Sequence, residues 1–309
     1  MKYAIGVDIG GTTIASGIVN QNGDVIQQET VKSDSFDREN MFAQVVLCIE
    51  KLLDHSSIPI CDIHSLGAGV PGKVDREKGI AIFQNNLPWN NFPFIRRIRE
   101  AFELEHVAID NDVHMAAFAE WKKAQLKQDE LFVYMTISTG ISSAIIQDGE
   151  FMRGAGFAGE AGLIPVYTRF PENTLRRLEM TASGPAIAKH SNDLYGRSDM
   201  TAKEVFKAFD DDDSIAQMLI KDIAASLAQG IYTINSLLDP HKIVFGGSVV
   251  SQNPVLLTMV KTKLEEWLLD EQTHILDHME VSYMGNEQGI IGAGLRALEN
   301  REEAFQDTF

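Results

Sequence analysis

The sequence is poor in cysteine and in basic residues. Its 309 residues include two cysteines, Cys48 and Cys61, and 27 lysines and arginines against 44 acidic residues, for a formal charge of −17. Two thiols cannot staple a chain of this length, so they are read as reduced and unpaired. A structural zinc site built on cysteine needs about three or four ligands at close spacing, and the same count excludes it. The acidic excess repels a phosphate backbone and argues against nucleic acid as a partner. It leaves room for a small anion held by backbone N–H groups. Long apolar runs are also missing, since no segment approaches the roughly 20 residues of a membrane span. Met1 to Val7 runs straight into Asp8 without the apolar core or cleavage site of a leader, so a cytoplasmic protein is expected.

What remains is a globular composition, 44% hydrophobic and 23% charged. Beyond about 250–300 residues a single core stops growing, so the length implies two packed domains. Tyr3 to Val7, Ile14 to Val19 and Val25 to Glu29 read as strands, with Asn22-Gly23 as a type I′ hairpin signal. Apolar residues from Met41 to Leu53 fall at helical spacing. Leu66 to Val70 and His106 to Ile109 read as strands, and Val113 to Leu126 as a helix. A second round begins at Leu131: strands at 131–137 and 141–146 flank Ser138-Thr139-Gly140, and Asp148-Gly149 repeats the hairpin signal. An internal duplication of a phosphate-holding hairpin is the simplest explanation. The rest is mostly helical. Thr201 to Glu204 is a capping box, a long helix runs from Ser214 to Leu238, and a last one runs from Gly289 to Glu299. Lys242 to Phe245 and Val281 to Met284 are the remaining strands. Strands alternating with helices after hairpins make an α/β protein.

The strongest local signal is Asp8-Ile9-Gly10-Gly11-Thr12-Thr13 between two strands. Two glycines expose backbone N–H groups, two threonines add hydroxyl donors, and a carboxylate at the strand end can hold a hydrated Mg²⁺ against phosphate oxygens. A dinucleotide fingerprint or a P-loop would open a helix here, and neither occurs. The same residues also suit a tight turn with a capping aspartate.

Further motifs follow in order: G-V-P-G-K-V-D at 69–75, N-N-L-P-W at 85–89, D-N-D at 110–112, S-T-G at 138–140, G-E-A-G at 159–162, L-E-M-T-A-S-G at 178–184, D-P-H-K-I-V-F-G-G-S at 239–248 and G-I-I-G-A-G at 289–294. The ordered set resembles the ROK family of bacterial sugar kinases and sugar-responsive repressors, within the actin-like ATPases, over about the whole chain. The resemblance implies a duplicated, ribonuclease H-like α/β fold in two lobes with the active site in the central cleft. The small lobe is expected at residues 1–115, completed by the C-terminal helix at about 297–309, and the large lobe at 116–296. It further implies an ATP- and Mg²⁺-dependent hexose kinase, by family habit acting on the 6-hydroxyl of a glucose-like sugar, and a homodimer.

Carried over by position, Asp112 matches the catalytic base, with the N-terminal dipole of its helix favouring the charged carboxylate. From the tripeptide alone it reads equally as a helix cap. Asn111, Glu160 and Glu179 match sugar-hydroxyl partners, and Gly72 and Asn86 lie in segments that border the sugar. Taken singly, the two glutamates also suit solvated surface positions. Gly10, Gly11, Thr12 and Thr13 resemble the first phosphate loop, Thr139 and Gly140 the second, and Gly246-Gly247 the adenosine-side turn. Asp8 is the expected Mg²⁺ residue, through water.

Departures accompany the match. In many relatives a histidine that touches sugar and zinc follows the G-E-x-G segment, with a cysteine-rich motif after it. Here Leu163 follows, and residues 165–177 hold no cysteine or histidine, so no zinc site is expected. Ser142, Ser143 and Ala144 stand where the second loop is usually glycine-rich, which implies crowding of the γ-phosphate. His114 replaces a usual asparagine. A sugar-binding or sensing protein with impaired catalysis is therefore the second reading. A repressor is disfavoured, because the first loop begins at Asp8 with no DNA-binding module before it.

Overall fold

The computed structural model describes residues 1–84, 86–170 and 172–306. In chain order it begins with strands β1 (Tyr3–Ile9), β2 (Thr13–Asn20) and β3 (Val25–Lys32), helix α1 (Arg38–His55) and strand β4 (Ile63–Val70). A small meander, β5 (Lys73–Asp75), β6 (Ile80–Phe83) and β7 (Asn90–Phe92), leads to α2 (Phe94–Phe102), β8 (Val107–Asn111) and α3 (Asp112–Ala124). The second half runs β9 (Phe132–Ile137), β10 (Ile141–Gln147), β11 (Glu150–Phe151), β12 (Pro165–Thr168), β13 (Thr174–Arg177), α4 (Glu179–Ala182), α5 (Gly184–Tyr195), α6 (Ala202–Asp210), α7 (Ser214–Leu238), β14 (Lys242–Gly246), α8 (Ser248–Ser251), α9 (Val255–Glu265), α10 (His274–Asp277), β15 (Met279–Val281) and α11 (Gln288–Gln306).

The chain forms two compact units, Met1–Gln125 joined by the chain from Asn286, and Leu126–Gly285. The division differs from the 115/116 and 296/297 boundaries expected from sequence, because α3 and the start of α11, from Gln288, belong with the first unit. That sheet has the order β3-β2-β1-β4-β8, and the second unit's has the order β11-β10-β9-β14-β15. In both, a three-strand antiparallel meander is extended by parallel strands, so the repeat read from the two glycine turns is a repeat of the whole sheet.

In the first unit, Gly6 of β1 and Gly67 of β4 are register partners that together make a flat floor for α11. A Cβ on either would lie 1.9 Å from a carbonyl oxygen of that helix, Ile290 O or Ala293 O, so only glycine lets helix and sheet approach this closely. The opposite face buries Met41, Val45, Ile49 and Leu52 of the helical stripe predicted from sequence, with Cys48 added to it, while Val46 and Leu53 of that stripe are half-buried. Trp89 stacks on Phe92 with centroids 4.6 Å apart, and its Nε1 donates to Arg38 O at 3.1 Å.

Two local readings change. The turn at Asn22-Gly23 is not type I′, since only Gly23 has positive φ; the Asn20 side chain instead accepts from the N–H groups of Asn22 and Asp24. The last strand lies at Met279–Val281 rather than 281–284, where pairing with β14 sets its register. Among the described residues no helix is long and apolar enough to cross a membrane.

Candidate active site

In the first unit the Asp8 side chain leaves the end of β1 partly buried, and the turn that follows is closed by Gly10 N–H donating to Thr13 O at 2.9 Å. Ser33 pins this turn: its hydroxyl donates to Gly10 O at 2.6 Å and its N–H to Thr12 O at 3.0 Å. With the carbonyls drawn toward Ser33, Thr12 and Thr13 stand exposed at the tip. A Cβ on Gly11 would fall 3.0 Å from Asn86 O, so this glycine brings the predicted phosphate loop against the predicted sugar-bordering segment. Asn85, quoted with that motif, lies outside the described residues.

The D-N-D segment bridges β8 and α3. Asn111 Oδ1 accepts from Val113 N–H at 2.9 Å and caps α3, while its Nδ2 donates to Gly72 O at 3.0 Å. Two residues expected to border a sugar are thus bonded to each other. Asp112 is the first residue of α3, and its Oδ1 also accepts from Val113 N–H, at 3.0 Å. The helix dipole by itself would lower this carboxyl. Burial outweighs it and pushes Asp112 above the ordinary aspartate range, against smaller lowering from the Val113 N–H and His114. Asp8 is pushed up to about 7, chiefly by burial and then by the Asp112 charge. The two carboxyls therefore share one poorly solvated region.

Three further contributors surround this region, of which Ser33 alone lies outside the motifs read from the sequence. The first turn of α11 abuts Asp8, where a Cβ on Gly289 would come within 2.6 Å of the Asp8 carboxyl carbon. Ser33 carries no motif. Asp110 is buried and bonded to His114 Nδ1 at 3.2 Å, with Arg76 Nε 4.0 Å from its other oxygen, so the unusual His114 serves the base of the helix. Ser33 has no local signal, because its partners Gly10 and Thr12 are about twenty residues away.

In the second unit, Ser138–Gly140 joins β9 to β10, with Ser138 N–H bonded to Gly140 O at 2.9 Å. Gly247, at φ +87°, lies so close to the end of β9 that a Cβ would be 2.4 Å from Ile137 O, and Ser138 Oγ is 3.3 Å from Ser248 Oγ. Thr139 and Gly140 are thereby brought beside Gly246 and Gly247. Glu179, at the start of α4, accepts the Ile141 N–H on Oε2 at 2.8 Å and is tied to this same loop. Glu160 is exposed at the head of a 3-10 turn, Ala161–Leu163. Of the three residues expected to crowd the γ-phosphate, Ser143 has its hydroxyl engaged with the backbone. This residue is in β10, buried, with its hydroxyl donated to Gly159 O at 2.7 Å. Among the described residues no group of three or more His, Cys, Asp or Glu side chains is gathered to hold a metal ion.

The sequence profile of the ROK family matches residues 4–300. A glucokinase of Halalkalibacterium halodurans is 28% identical, the match covering 99% of each chain. A beta-glucoside kinase of Listeria monocytogenes is also 28% identical, over 98% of this chain and 100% of its own. The crystal structure of a ROK hexokinase from Thermus thermophilus superposes with a TM-score of 0.81 at 25% identity, covering 97% of this chain and 99% of that one. The fold is the actin-like ATPase fold. With a match over residues 4–300, the chain belongs to the ROK family.

Proposed function

We propose that the chain is an ATP-dependent sugar kinase that transfers the γ-phosphate to a hexose hydroxyl, the 6-hydroxyl of a glucose-like sugar, with Asp112 as base. The observation that carries this reading is the pair of partly buried carboxyls, Asp8 and Asp112, beside a glycine turn whose carbonyls are drawn aside by Ser33. A base raised toward neutrality accepts a hydroxyl proton more effectively than an ordinary aspartate. Asn111, Gly72 and Asn86 in the first unit, and Glu160 and Glu179 in the second, are the sugar-hydroxyl partners. Hydroxyls that both donate and accept suit such groups. Gly10 to Thr13, Thr139, Gly140, Gly246 and Gly247 hold the nucleotide. The residues present fit a magnesium ion held through water by Asp8, since two mutually repelling carboxyls gain from a cation; when bound it neutralises phosphate charge. Orientation of the hydroxyl and acceptance of its proton then fall to Asn111 and Asp112.

The test is ADP release measured over a panel of hexoses, amino sugars and β-glucosides. Turnover of at least one sugar supports the kinase. Silence across the panel with measurable sugar binding favours the sensing protein instead, a reading that rests on Leu163, which is half exposed where relatives place a histidine. The protein is further proposed to act as a cytoplasmic homodimer without nucleic acid, which sizing chromatography and a mobility-shift assay would check.

A further inference from the structure

Glu160 and Glu179 stand at the two ends of one hairpin. Glu160 precedes β12, which opens at Pro165, and Glu179 follows β13, which closes at Arg177. Leu178 N–H donates to Ile164 O at 2.9 Å and closes the base of the hairpin. A Cβ on Gly162 would lie 3.1 Å from Glu179 Cβ, so the two ends occupy one small space. A two-stranded sheet this short is marginal by itself, and the free edge of β12 offers unpaired backbone groups.

Helix α7 supplies the missing partners. Gln229 Oε1 accepts the Tyr167 N–H at 2.8 Å, and its Nε2 donates to Tyr167 O at 2.8 Å. One side-chain amide thus pairs both backbone groups of Tyr167 as a neighbouring strand would. Two turns earlier on α7, the buried Asp222 accepts from the Thr168 hydroxyl at 2.7 Å and from the Arg169 N–H at 3.1 Å. Gly230, next to Gln229, lets the helix close on the base of the hairpin. A Cβ there would come within 2.6 Å of Leu178 Cδ2, and Leu178, fully buried, directly precedes Glu179. The outward side chains of the hairpin, Tyr167 and Leu175, are exposed register partners, so little holds it besides α7.

We propose that Gln229 and Asp222 are positioning residues for Glu160 and Glu179: by giving β12 the partner it lacks, they fix the hairpin whose two ends present the sugar-binding carboxylates. The proposal rests on the kinase reading of those two glutamates. Sugar recognition by fixed acceptors is sensitive to small displacements, so loosening the hairpin acts on the sugar through both glutamates.

Gln229→Met keeps the length and volume of the side chain and removes both bonds, Asp222→Ala removes both acceptor oxygens, and Asp222→Asn keeps one. Amide hydrogen exchange by mass spectrometry and steady-state kinetics with the preferred sugar of the panel are measured on the full chain. Gln229→Met and Asp222→Ala should each speed exchange over residues 160–179 about tenfold and raise the sugar KM about tenfold, with kcat within about threefold of wild type. Asp222→Asn should recover part of what Asp222→Ala loses. Unchanged exchange, or faster exchange with an unaltered sugar KM, overturns the proposal. A wild type silent on every sugar sinks the functional reading and this proposal with it, whereas an active wild type with indifferent variants sinks this proposal alone.

Discussion

In magnesium-free buffer, Asp8→Asn should make the protein harder to unfold above pH 7 while removing its activity. Burial and the neighbouring Asp112 charge take the Asp8 carboxyl from 3.8 to about 7. A folded-state value above the unfolded one means that this group adds stability below pH 3.8 and withdraws it as the pH rises through about 7. At about 1.36 kcal/mol per pH unit the full shift corresponds to a ceiling of roughly 4 kcal/mol. Asp8 is partly exposed, which lets solvent screen it, and an expected gain of about 1–2 kcal/mol for the variant at pH 8 allows for this. The gap should shrink to roughly two-fifths of that at pH 5, because only the interval above the unfolded value then counts. Urea unfolding with a chelator present, followed by tryptophan fluorescence at both pH values, measures it, Trp89 being buried in the same unit as Asp8. A variant less stable than wild type at pH 8, or a gap identical at the two pH values, would refute the reasoning. Such opposition between stability and activity is common where charge is held for function.

Asp112→Asn should lower kcat by about 10²–10⁴ with sugar affinity little changed, and full activity would remove Asp112 from the mechanism. In the wild type, burial raises the Asp112 carboxyl, so kcat/KM should fall on the acid side at a pH above the usual aspartate range; a profile flat to pH 4 would contradict the placement. Ser33→Ala removes the 2.6 Å bond to Gly10 O and should raise the ATP KM several-fold without altering the sugar KM, a split that initial-rate kinetics would reveal. Gly67→Ala sets a Cβ 1.9 Å from the Ala293 carbonyl oxygen, backbone against backbone, and should cost about 1–3 kcal/mol or more; an unaltered unfolding midpoint would show that α11 can retreat freely.

Much of the fold was legible because its signals are short-range. Helix α7 spans Ser214–Leu238 as read, since Asp213 caps its start through the N–H groups of Ile215 and Ala216 and Asp239 ends it at φ +46° before Pro240. The capping box at Thr201 and Glu204 forms both of its bonds. Asp148-Gly149 turns with both φ values positive, as its hairpin requires. Less legible was the β12–β13 hairpin, whose alternation is weak and whose partners Asp222 and Gln229 are more than fifty residues away.

The candidate site divides along the same line. The Asp8 turn and the Ser138–Gly140 turn follow from residue types a few positions apart, and the sequence alone determined them together with the family, whereas the cap of α3, read at Asp112, falls to Asn111. Tertiary structure decided what those residues can do. Desolvation and Coulomb repulsion act through space, so Asp8 reaches about 7 chiefly because the fold buries it and, after that, because Asp112, more than a hundred residues on, shares its surroundings. For the same reason the first turn of α11 comes to lie against Asp8, Ser33 bonds to the Gly10 turn, and Ser143 bonds to Gly159.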